Sequence, residues 1–148
     1  MTTIRPALPS EQRLLEELQR RASLNNPGDR EAILAHPDAI ELSLEQLSAG
    51  GVFVAELAGT VQGFAAILPR DDGDVELDAL FVEPDAWGHG LGRLLVDHCA
   101  EVARAQGARR LHVIGNPHAE GFYLRCGFEL AGTENTRFGP GLLMRRTF

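Results

Sequence analysis

The chain has 148 residues, a formal net charge of −7 and 44% apolar residues. That length suits one domain, over 1–148, with a single sizeable core, and the apolar share is ordinary for a soluble globular protein. The acidic balance and the lack of any basic block argue against duplex nucleic acid as a partner, and no apolar run approaches the roughly 20 residues that span a bilayer.

From the N-terminus, Met1-Thr2-Thr3-Ile4-Arg5 lacks the basic-then-apolar form of a signal peptide. The chain's two cysteines, Cys99 and Cys126, have no metal-ligand spacing, so a cytoplasmic, reduced setting without a metal is expected. Thr3–Arg5 reads as a short strand. A helix starts at Pro9-Ser10, with Ser10 as N-cap and Leu14, Leu15, Leu18 and Ala22 as its apolar face. Asn26-Pro27-Gly28-Asp29 reads as a turn, Arg30–Ala35 as a short helix, and Leu42–Ser48 as another helical turn or two.

The texture then changes. Val52–Leu57 and Val61–Leu68 are strands joined by Ala58-Gly59-Thr60, and Val75–Val82 completes an antiparallel meander. Leu91–Gln106 reads as a long helix whose buried stripe is Leu91, Leu94, Leu95, Cys99, Val102 and Ala103. Arg110–Ile114 is a strand, Ala119–Arg125 a short helix, and Phe128–Ala131 and Leu142–Arg146 the last strands, around a loop Gly132–Gly141. The strand Val75–Val82, the long helix and the strand Arg110–Ile114 form a βαβ unit, so these two strands should be parallel. The fold class is α+β: a mixed, mostly antiparallel sheet with one central parallel pair and helices on both faces.

The stretch Trp87-Gly88-His89-Gly90-Leu91-Gly92 lies between the third meander strand and the long helix. Alternate glycines let the backbone approach a ligand, and the helix N-terminus adds unpaired N–H groups and a positive dipole end. Strand, glycine turn and helix are a recipe for binding a pyrophosphate. A tight turn needing glycine for geometry alone is the plainer reading. A Rossmann site would need G-x-G-x-x-G in a repeating βαβ array, whereas this chain has G-x-G-x-G and one such unit. Downstream comes Asn116-Pro117-His118-Ala119-Glu120-Gly121-Phe122-Tyr123-Leu124-Arg125-Cys126-Gly127-Phe128.

With both segments in this order, the chain resembles the GNAT acyltransferase superfamily, which transfers acetyl groups from acetyl-CoA. Its central motif has Arg or Gln where this chain has Trp87. The resemblance covers about Val52 to Phe148. It implies a GNAT-like fold and an N-acetyltransferase acting on an amine by direct attack, with acetyl-CoA as co-substrate and a small-molecule or peptide amine as acceptor. It implies a cofactor cradle of Gly88, His89, Gly90, Leu91, Gly92 and Arg93, backbone contacts from Leu80, Phe81 and Val82 to pantetheine, and Asn116 beside that arm. It also implies that the Tyr123 hydroxyl protonates the departing thiolate; a core aromatic flanked by Phe122 and Phe128 is the alternative for Tyr123, and a strand-ending Asn before proline the alternative for Asn116.

An alkyl ammonium must lose a proton before it attacks, so a carboxylate acting through water is useful. Period-two alternation puts Glu76 and Asp78 on one strand face with Leu80 and Val82, and either is a candidate base, a solvated polar face being the plainer reading. Arg137 and Phe138 lie in the late loop that flanks the acceptor side in such folds, where an arginine can bind a carboxylate or phosphate on the acceptor. The histidines share no metal spacing. A CoA-binding regulatory or interaction domain without turnover is the rival reading, and the last strand could pair across a homodimer.

Overall fold

The computed structural model describes residues 2–137 and 139–148, without the side-chain placement of Pro27 and Gly28. In chain order the elements are β1 (Thr2–Pro6), α1 (Gln12–Leu24), α2 (Pro27–Ala35), α3 (Leu44–Ser48), β2 (Val52–Leu57), β3 (Thr60–Pro69), β4 (Val75–Val82), α4 (Leu91–Ala105), β5 (Arg110–Gly115), α5 (Glu120–Arg125), β6 (Glu129–Thr136) and β7 (Gly139–Thr147). They build one seven-stranded sheet of order β1-β2-β3-β4-β5-β7-β6. Every pair is antiparallel except β4 with β5, as the βαβ reading requires.

Each face of the sheet carries its own core. Phe53, Ala55, Ala65, Ile67, Val75 and Leu77 pack under α4, with Leu95, Cys99 and Ala103. Val52, Val54, Phe64 and Ala66 pack under α1, with Leu15 and Leu18. Strands covered on both faces are apolar at successive positions, which is why Val52–Ala55 and Phe64–Ile67 read as continuous runs. Leu14 and Leu94, expected in the buried stripes, are exposed at 46% and 44%.

At the N-terminal end α1 is not capped by Ser10. A 3₁₀ turn, Pro9–Glu11, precedes it, and the Leu8 N–H donates to the Glu11 carboxylate at 2.8 Å. Arg5 clamps the same carboxylate at 3.0 and 2.9 Å, so a charged pair replaces the hydroxyl cap. The expected turn at Asn26–Asp29 gives way to helix, since α2 spans Pro27–Ala35 and holds Asp29 in its first turn.

The expected loop Gly132–Gly141 is mostly a hairpin. β6 pairs with β7 from Glu129↔Arg145 to Thr136↔Gly139. β6 is an edge strand, largely exposed, so Thr133-Glu134-Asn135-Thr136 carries no apolar alternation to mark it. β7 lies between β5 and β6, so within this chain the last strand is not an edge; the sheet's edges are β1 and β6.

The irregularity with most consequence lies in β4. Ala66 pairs with Ala79 and Ile67 with Leu77, leaving Asp78 as the extra residue of a β-bulge. Before the bulge Val75 and Leu77 face α4; after it Leu80 and Val82 do, while Ala79 and Phe81 pack on the α1 side. The expected alignment of Glu76 with Leu80 and Val82 therefore fails, because one inserted residue reverses the alternation.

Candidate active site

The parallel pairing of β4 and β5 covers only Val75↔Leu111, Glu76↔His112 and Leu77↔Val113. Beyond Leu77 the bulge turns β4 away, and the strands splay. The resulting cleft, of about 950 Å³, is floored by Asp78–Val82 of β4 and Val113–Gly115 of β5. Its walls are the Trp87–Arg93 turn, α5, and Ala22, Asn26 and Asp29 from α1 and α2. Splaying leaves the β4 backbone edge over 78–82 without a strand partner on that side, which suits an extended ligand that pairs with main chain.

The glycines of the turn do different things. Gly88 and Gly90 have φ of +85° and +79°, and a Cβ on either would meet nothing within 4 Å, so conformation, not crowding, requires them. Gly92 lies inside α4, where a Cβ would come within 3.1 Å of the Phe122 ring; it permits close packing of α4 on α5. Gly90 caps α4, and the first-turn N–H groups of Leu91, Gly92 and Arg93 have no partner within the helix. Gly88, Gly90, Leu91, Gly92 and Arg93 all line the cleft; His89 is exposed and does not. Trp87 donates its indole N–H to the Val82 carbonyl at 2.8 Å, tying the turn to the end of β4.

Tyr123 sits at the base of the cleft, 8% exposed, edge-on to Phe122 and Phe128 with centroid distances of 5.2 and 5.4 Å. Gly115 makes room for it, since a Cβ there would lie 3.2 Å from the Tyr123 ring. Burial first, then Cys126 and the Asp29 charge, push the phenol's pKa up, so the hydroxyl keeps its proton. No described residue hydrogen-bonds this hydroxyl, and no fully buried polar side-chain atom lacks a partner, so the hydroxyl itself is reached from the cleft although the ring is buried.

Asn116 is engaged at both ends of its amide. Its Oδ1 accepts from the His118 N–H at 2.9 Å, capping the turn Pro117–Ala119, and its Nδ2 donates to Asp29 Oδ1 at 2.8 Å. This bond joins α2 to the end of β5 across the cleft. Asp78 lines the cleft and accepts a 3.4 Å bond from Gln46 of α3, whereas Glu76 is outside the lining. Arg137 is also outside it, 3.5 Å from Asp38, and Phe138 lies outside the described residues.

Sequence reasoning missed Asp29 and Arg125, both in the lining. Reading Pro27 as a first helical position would have made Asp29 a first-turn acid instead of a turn residue. Away from the cleft, ligand atoms of Asp72, Asp74 and His112 lie within 4.8 Å of one another. Asp74 spends both oxygens inside the fold: Oδ1 accepts from the N–H groups of Arg109 and Arg110, and Oδ2 lies 2.8 Å from His112 Nε2. That pattern fastens the start of β5 to the β3–β4 turn. No helix of the described residues is long and apolar enough to cross a membrane.

Comparison with known proteins bears on this cleft. The model of the acetyltransferase (GNAT) family matches residues 13–128. An uncharacterized N-acetyltransferase of Mycobacterium tuberculosis is 32% identical over 91 residues, 60% of this chain and 58% of that protein. The chain thus spans a little over half the length of this curated relative. A peptidyl-lysine N-acetyltransferase of Salmonella typhimurium is 39% identical over 56 residues, 38% of this chain and 37% of that one. Among solved structures, a PaiA N-acetyltransferase of Thermoplasma acidophilum in complex with coenzyme A superposes with a TM-score of 0.78 at 17% identity, covering 100% of this chain and 99% of that one, a likeness of fold.

Proposed function

The chain belongs to the acetyltransferase (GNAT) family, and from that premise we propose that it is an N-acetyltransferase, one domain over 1–148, moving acetyl from acetyl-CoA to an acceptor amine by direct attack. One observation carries this reading. The splayed β4 edge, the glycine turn at the N-terminus of α4 and Tyr123 all line the same cleft. That supports reading the turn as a cradle for a diphosphate, the strand edge as a rail for an extended arm and the phenol as a proton donor.

The residues present fit acetyl-CoA. Backbone N–H groups of Gly88–Gly92 and the α4 dipole would hold the diphosphate, with Arg93 and Arg125 alongside. Leu80, Phe81 and Val82 would pair with the pantetheine arm, although Trp87 already uses the Val82 carbonyl. Acetyl-CoA supplies an activated thioester. The chain's part is to fix the reactants in line and to place a proton donor at the sulfur. Tyr123, held protonated by burial, is that donor. Of the two acids expected to help the amine shed its proton, we retain Asp78, which lines the cleft. Asn116 is engaged as a turn cap and as the partner of Asp29, so its part in the cleft is to fix that carboxylate. Arg137, held toward Asp38, is left out of the acceptor contacts. The acceptor is a small-molecule or peptide amine. Two buried free thiols support a reducing, cytoplasmic setting.

The Trp87–Val82 bond is the observation that favours the rival, a CoA-binding domain without turnover. Following free-thiol release from acetyl-CoA across a panel of amines decides between them. Amine-dependent release is expected. Stabilisation by CoA with no release from any amine would leave the binding domain, and stabilisation by NAD instead of CoA would sink the donor assignment.

A further inference from the structure

We infer that Asp29 is the acceptor-specificity residue of this cleft: it receives the acceptor's ammonium beside the Tyr123 hydroxyl, so the enzyme takes alkylammonium acceptors and discriminates against amines that carry a carboxylate on the same carbon. The inference rests on the acetyl-transfer reading above.

Three observations support it. Asp29 enters the cleft from α2, and its Oδ1 is fixed by the Asn116 amide at 2.8 Å, which leaves Oδ2 for a second donor. Tyr123, nine-tenths buried, lines the same cleft, and the Asp29 charge is among the causes that hold its phenol protonated. The lining also carries charge of both signs from different elements: Asp29 comes from α2 and Asp78 from β4, whereas Arg93 comes from α4 and Arg125 from α5, where both oppose the burial that raises the Cys126 pKa. An acceptor carboxylate placed beside its amine would face Asp29 and Asp78, with both arginines committed to the diphosphate end.

The proton inventory closes. The ammonium gives up two protons as the N–C bond forms and the C–S bond breaks. One ends on the CoA sulfur by way of Tyr123, and one leaves to solvent past Asp29.

The test compares wild type with Asp29→Asn on cadaverine, Nα-acetyl-lysinamide and glutamate, measuring thiol release at varied acceptor and varied acetyl-CoA. The substituted carboxamide keeps an oxygen for the Asn116 amide, and CoA-induced stabilisation reports that the fold and the donor site persist. Wild type should favour the two cationic acceptors over glutamate. Asp29→Asn should raise their KM about 10- to 100-fold, the scale of a charge-assisted contact, with the KM for acetyl-CoA unchanged. Asp29→Glu should restore part of the loss. Preference for glutamate, or an unchanged acceptor KM in Asp29→Asn, overturns the inference alone. Absence of release with every amine overturns the acetyl-transfer reading, and this inference with it.

Discussion

Burial sets the direction in which the titratable side chains of this molecule can act. Tyr123 is held protonated, which makes it a donor and not a base at neutral pH. Tyr123→Phe deletes that hydroxyl and leaves the ring contacts to Phe122 and Phe128 in place. Its kcat should fall about 10- to 1000-fold, with CoA affinity nearly unchanged. Wild-type turnover would return Tyr123 to a packing role. Cys99, in the α4 core, is pushed up to about 12 by burial and should resist alkylation in the folded state. Asp74 moves the other way: His112 first, then the Arg109 and Arg110 N–H groups, hold its pKa below the ordinary carboxylate range. A carboxylate whose pKa is depressed by folding stabilises above its unfolded pKa, and the gain fades as pH falls through the folded value. Asp74→Asn should therefore cost about 1–3 kcal/mol at neutral pH, since it weakens several bonds to one half-buried group. Urea unfolding of both proteins should show the gap narrowing below about pH 4. A gap independent of pH would mean that packing, not charge, is what Asp74 supplies.

At the scale of elements, the site is made by one bulge and one turn. Gly90 holds φ of +79° at the head of α4, where a β-branched residue is a genuine outlier. Gly90→Val should cost about 1–2 kcal/mol of strain and abolish stabilisation by CoA, because relaxing it turns the N–H groups away from the cradle. A folded Gly90→Val protein that still binds CoA would place the diphosphate elsewhere. Elements with a strong period were legible in the sequence. β2 and β4 have the expected bounds, and α4 ends one residue early. The glycine turn and Tyr123 were found because glycine spacing and an aromatic run survive in the linear chain. The bulge was not, since nothing in Leu77-Asp78-Ala79 announces an extra residue; the pairing of β3 with β4 imposes it. That single residue decides which acid reaches the cleft, taking Glu76 out and leaving Asp78 at its edge. Asp29 was illegible for a related reason. It meets Asn116 across 87 positions of sequence, through a helix whose start was taken for a turn.

For the whole molecule, the cleft is a wedge between two halves of one sheet. The β1–β4 half and the β5–β7 half share only the short parallel register at Val75–Leu77. Around that seam, α4, Asp74 and the Asp29–Asn116 bond hold the halves together. A ligand lying on the β4 edge, the α4 N-terminus and α5 touches both halves, so it binds the folded sheet and has little to hold in the unfolded chain. Mass action then converts affinity into stability: CoA at about 100 times its dissociation constant should add about 2.7 kcal/mol, a rise in Tm of about 5–10 °C for a chain of this size. The shift should shrink with added salt and in Arg93→Ala or Arg125→Ala, because exposed cations act on a diphosphate through a screened field. Differential scanning fluorimetry at several CoA and salt concentrations checks this, with NAD as the control. An NAD shift equal to that of CoA would show a cradle that recognises any diphosphate. A CoA shift indifferent to both arginines and to salt would assign diphosphate binding to the backbone amides of the turn alone.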